Sequence, residues 1–211
     1  MSELYQWWLT LTERLVLPAA AELGQTLMQR YGANGRFYHN CDHLHHVLTT
    51  IEAICAPDRP APALLLAAWY HDAVYDPRAA DNEAQSAALA QRQLSAAGLA
   101  PSLVDEVARL ILLTRTHAVT ADLPPHEQAN GRILLDADLA ILGADPDRYR
   151  QYAQAIRREY AFVPEEPYRQ GRTAVLRRLL ARQPLYYTPF MQTYTEQARH
   201  NLTAELYEWL Q

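Results

Sequence analysis

The chain has 211 residues, 49% hydrophobic and 20% charged, the composition of a globular protein with enough apolar mass for one sizeable core. All 19 residues of the Lys+Arg total are arginine, which excludes chemistry that needs an ammonium group: a phosphate-loop lysine, a Schiff base or a lysine general base. A net charge of −5 argues against a broad nucleic-acid surface, and the 7 glycines form no Gly-rich phosphate loop.

Apolar residues recur at spacings of three and four along nearly the whole chain, and no alternating β-branched run bounded by turns interrupts them. The pattern predicts an all-α single-domain helical bundle with helices over 3–30, 40–55, 62–75, 82–97, 101–118, 129–142, 147–161, 168–182 and 189–210, punctuated by prolines. Asp81 stands where an N-cap belongs, and Pro101-Ser102 suits a helix start.

At the start, Met1–Tyr5 carries no basic segment of a secretory signal, and the longest apolar run, Ala61–Tyr70, is about half of the ~20 residues a membrane span needs. The two cysteines, Cys41 and Cys55, make neither a CxxC pair nor a disulfide framework and fit a reducing compartment. A cytoplasmic protein with no membrane partner is expected. Trp7 and Trp8, with Tyr186, Tyr187 and Phe190, suit either a homodimer interface or the core.

Ionisable residues on apolar stripes need partners, because an unpaired buried charge is costly. In the second predicted helix His43 shares a stripe with Val47, Thr50, Ile51 and Ile54; His45 lines up with Thr49 and Glu52 on the solvated side, and His46 lies at the flank. His39 sits one turn before His43 on the same side. In the third, the stripe of Leu64, Leu65, Ala68 and Trp69 continues into His71 and Asp72. Near Ile133–Leu142, Asp138 has leucines and isoleucine at its three- and four-residue neighbours and is read as inward, whereas Asp136 is flanked by Arg132 and Ala140. Two imidazoles and two carboxylates suit a first-row divalent metal; hydrogen-bonded core residues are the plain alternative.

His43, His71-Asp72 and Asp138 follow the order of the HD superfamily of metal-dependent phosphohydrolases, an all-helical family. The stretch AAWYHDAVYDPRAADNEAQSAALA with LLDADLAILG, and the later IRREY, YRQGRTAVL and ARHNL, resembles a bacterial stand-alone branch of predicted HD phosphohydrolases over about residues 31–206. Tyr38-His39-Asn40 followed by His43 is similar to the YHNxxH segment of cyclic-nucleotide phosphodiesterases. That similarity implies His39 as general acid and His43 as a metal ligand, with Ala137-Asp138-Leu139 matching the distal Ala-Asp-Leu.

The resemblance implies hydrolysis of a small phosphate ester, a nucleotide among the options, with His43, His71, Asp72 and Asp138 holding one or two Mn, Fe, Co, Ni or Zn ions and Asp72 bridging to the second. Arg36, Asn40, Glu83 and Arg172 are expected at the substrate; His117 is expected as a phosphate contact, a second-metal ligand or a core residue, and His126 in a loop. Two alternatives come from other classes: a di-iron oxygenase drawing on His117 and His126, and a ligand-binding module that keeps its metal site without turnover.

Overall fold

The computed structural model describes residues 3–17 and 20–211. Residues 1–2, part of the Met1–Tyr5 stretch, and 18–19, inside the predicted 3–30 helix, lie outside the described residues. The fold is all-α, with no strand among the described residues. Its elements are α1 (Glu3–Arg14), α2 (Ala20–Tyr31), α3 (Cys41–Cys55), α4 (Pro62–Tyr70), α5 (Asn82–Ala96), α6 (Pro101–Leu113), α7 (Pro125–Asp138), a 3₁₀ helix (Leu139–Gly143), α8 (Pro146–Glu159), α9 (Glu165–Ala181), α10 (Pro189–Gln192) and α11 (Thr195–Leu210). No helix among the described residues is long and apolar enough to cross a membrane.

Two apolar clusters organise the chain. The larger gathers side chains of α1 to α7, with Trp8 edge-on to Trp69, and the smaller gathers the 3₁₀ helix, α8, α9 and α11 around Tyr149, Leu176 and Leu202. Asp138 ends α7 at the junction of the two, so whatever surrounds it draws on both halves. Trp8 and Tyr186 are completely buried and belong to these cores, while Phe190 remains exposed.

Several predicted helices are shorter than their apolar periodicity suggests. The 3–30 helix breaks after Arg14, where Val16 takes a left-handed φ of 49° and Leu17 N–H returns to Thr12 O. The 62–75 helix ends at Tyr70, placing His71 at its C-cap and Asp72 beyond it. The 101–118 helix ends at Leu113, and His117 is reached through a turn in which it adopts a φ of 53°. Conversely, α7 begins at Pro125, early enough to carry His126 on its first turn rather than in a loop. Asp81 does stand at an N-cap, but its carboxylate accepts from Gln85 Nε2 instead of capping the backbone.

Candidate metal centre

α3 presents His43 inward because Asn40 starts the helix there. The Asn40 side-chain oxygen accepts from the N–H groups of Asp42 and His43, at 2.9 and 3.3 Å, fixing the first turn. Asn40 thus serves as the cap of α3, and its Nδ2 donates to Phe37 O at 3.2 Å. His43 and His71 are both buried, with Nε2 atoms 3.2 Å apart. His71 Nδ1 lies 2.8 Å from Ala68 O; donating a proton to that carbonyl leaves Nε2 facing His43.

Two carboxylates complete the cluster. Asp138 Oδ1 is 3.3 Å from His43 Nε2 and 3.7 Å from His71 Nε2; Asp72 Oδ2 is 3.3 Å from His71 Nε2 and 3.6 Å from His43 Nε2. Donors bound at ~2.1 Å around one ion sit roughly 3 Å apart, and the His43, His71 and Asp138 donor atoms, all within 4.8 Å of one another, could hold a metal ion. The local charge agrees. Burial opposes a charged His71, yet Asp72 and Asp138 hold its pKa well above the ordinary value, so the carboxylates draw positive charge to this point. Burial likewise opposes the charge of Asp138, and His117, His43 and His71 pull its pKa well below the usual carboxylate range. His43 moves the other way, lowered by burial despite Asp138.

The second oxygen of Asp138 is 2.9 Å from His117 Nε2. His117 thus reaches the cluster through Asp138, and its main-chain carbonyl accepts from Tyr187 Oη at 3.4 Å. The neighbouring carboxylate corrects the sequence reading. Asp136 is more deeply buried than Asp138, at 1% exposure, because it points to the other side of α7 and accepts from the N–H groups of Tyr187 and Thr188 at 2.8 and 2.6 Å. It anchors the irregular 186–188 segment, whose Tyr187 hydroxyl meets the His117 carbonyl.

His39 lies outside the cluster but shares its cavity. Its Nδ1 is 2.7 Å from Glu159 Oε2, its ring stacks on Tyr75 at 4.2 Å, and Tyr75 Oη donates to the same Glu159 oxygen at 2.8 Å. Glu159 Oε1 accepts from the N–H groups of Tyr38 and His39. Burial works against a charged His39, but the Glu159 hydrogen bond and the Asp72 and Asp138 charges prevail and raise its pKa. Burial likewise opposes the Glu159 charge, and His39 with the two N–H groups lowers its pKa to about 2.

A cavity of about 470 Å³ opens over these groups, with His39, Asp72, Asp138, His117 and Glu83 on its walls and Arg115 and Arg178 among its cations. Glu83 is thus on the wall of the cavity that Asp72 and Asp138 also line. Neither of the two arginines expected at the phosphate lines this cavity. Arg36 donates to the carbonyls of His39, Asp72 and Ala73, at 3.0, 2.6 and 3.3 Å, and clamps together the two segments that carry the site. Arg172 is buried against Glu205, through Nε at 2.7 Å and Nη2 at 2.8 Å, a structural ion pair. Both guanidiniums are occupied by protein acceptors. The sequence reading missed Glu159, although Tyr149, Tyr152, Ile156 and Glu159 fall on one stripe of α8 and the test applied to His43 would have found it.

No family model, no curated protein and no solved structure matches the chain.

Proposed function

We propose that the chain is a metal-dependent phosphohydrolase of the HD type, acting on a small phosphate ester. The supporting observation is that one cavity reaches the carboxylates Asp72 and Asp138 of an imidazole-carboxylate cluster suited to a divalent ion and also His39, an imidazole whose Nδ1 is fixed by a carboxylate, leaving Nε2 for a substrate. His43, His71, Asp72 and Asp138 would hold the ion, which supplies a Lewis acid and water with a pKa lowered toward ~7. The donor set of imidazole and carboxylate suits Mn, Fe, Co, Ni or Zn.

The protein's own groups divide the remaining work. Arg115 and Arg178 neutralise the phosphoryl oxygens. His117 holds the Asp138 carboxylate in orientation. As the oxygen of water bonds to phosphorus and the ester P–O bond breaks, the bonding pair leaves with the alcohol oxygen, and His39 Nε2–H protonates it. The water proton passes to solvent, and His39 is reprotonated from solvent. Glu159 stabilises the charged His39 and, by taking Nδ1–H, presents Nε2–H to the substrate.

The oxygenase alternative needs His126 at the site, whereas its ring is two-thirds exposed on the first turn of α7, 3.8 Å from Glu106. The deciding experiment is elemental analysis of protein purified without added metal, followed by phosphate release from a panel of phosphate esters with Mn²⁺ or Co²⁺ supplied. Bound transition metal that is lost in His43→Ala, with phosphate release in the wild type, is expected. Metal without release from any ester would identify a binding module, and two irons with oxygen consumption an oxygenase.

A further inference from the structure

A second cavity, of about 410 Å³, adjoins the first and has His39, Ile156, Tyr160 and Val175 as walls in common with it. Its other walls include Val163, Pro167 and Tyr168, so it is aliphatic and aromatic in character. Arg172 reaches it, but Glu205 takes Nε and Nη2, and Nη1 donates to Tyr152 Oη at 3.3 Å, which leaves no free cation there for a second phosphate. The turn that forms its outer wall is already held, since Arg157 donates to the carbonyls of Tyr160 and Val163 at 2.7 and 3.2 Å. Gly171 stands inside α9, where glycine is the weakest ordinary helix former, yet a Cβ added to it would meet nothing within 4 Å. No neighbour requires that glycine, and a side chain there would start from the cavity wall into open space.

We propose that this cavity receives the leaving group of the ester, and that the leaving group is an uncharged, apolar alcohol of one or two aromatic rings. The inference rests on the phosphohydrolase reading above, in which His39 protonates the departing oxygen. That oxygen must then lie against His39, and the group attached to it extends into the space His39 also borders. The volume is more than twice the ~150 Å³ of a dry apolar cavity that takes up benzene.

The test is calorimetric binding of benzylphosphonate and methylphosphonate to the Mn²⁺-loaded protein, both inert to hydrolysis, in wild type and in Gly171→Leu. Benzylphosphonate should bind wild type at least about tenfold more tightly than methylphosphonate, as burial of one ring implies. In Gly171→Leu that preference should fall to within about threefold, with methylphosphonate binding unchanged and the melting temperature no lower, since leucine favours the helix. Equal binding of the two compounds by wild type overturns the apolar subsite and leaves the phosphohydrolase reading standing. An undiminished preference in Gly171→Leu overturns the cavity assignment. Binding of neither compound overturns the phosphohydrolase reading and this inference with it.

Discussion

Glu159 Oε2 receives His39 Nδ1 at 2.7 Å while Oε1 receives the N–H groups of Tyr38 and His39, so one carboxylate sets both the ring tautomer and the backbone that carries it. In Glu159→Gln the backbone contacts survive through the amide oxygen, but the amide N–H₂ faces Nδ1 and opposes a proton there, which depopulates the doubly protonated ring that acts as the acid. Metal content should be unchanged and turnover should fall by about 10² to 10⁴, the range of general acid catalysis. Because the raised pKa of His39 is lowered by the substitution, the decline of activity with rising pH should begin at lower pH than in the wild type. A purely structural role for Glu159 would leave that profile where it is.

Asp136 and Asp138 are two residues apart and face different partners. Asp138→Ala should release the metal with little change in folding stability. Asp136→Ala should keep the metal but lower stability by about 1–3 kcal/mol, the cost of orphaning buried N–H donors at Tyr187 and Thr188. Metal content and urea unfolding of the two variants separate these outcomes; metal loss from Asp136→Ala alone would reverse the assignment.

Arg172 is predicted to act on stability rather than on substrate. Arg172→Ala leaves Glu205 buried with Tyr149 and Trp209 as its remaining partners and should cost about 3–5 kcal/mol. If instead the variant melts like wild type and only its KM rises, Arg172 is a substrate ligand after all.

His46 carries a pH dependence of the fold. Burial, helped by Arg148, His43 and His45, lowers its pKa to about 4. Below the unfolded value near 6.5 the unfolded chain takes a proton that the folded one refuses, so this contribution to stability is lost as pH falls from about 6.5 to about 4. His46→Gln should therefore lose less stability than wild type between pH 7 and pH 4.5, by about 1–3 kcal/mol after screening. Parallel urea midpoints for the two proteins across that window would show that the folded state accepts the proton.

The helical class and the inward faces of His43 and His71 were legible in the sequence, because apolar periodicity records which side of a helix is buried regardless of what it is buried against. His45 also stays at the surface, stacked on Trp7. The same periodicity overran the ends of α4 and α6, since His71, Asp72 and His117 are placed by turns whose backbone geometry leaves no apolar repeat. It misjudged Asp136 for a related reason. A polar residue reads as outward by composition, whereas burial here is made tolerable by two N–H groups from a segment 51 and 52 residues away. Pairings of that range decide the rest: Glu159 on His39 across 120 residues, Glu205 on Arg172 across 33, and Arg36 on the carbonyls of Asp72 and Ala73. Local sequence specifies which side chains must find a partner; only the packing of helices against one another decides which partner each one finds, because hydrogen-bond and ion-pair energies depend on distances that the chain fixes only when it folds.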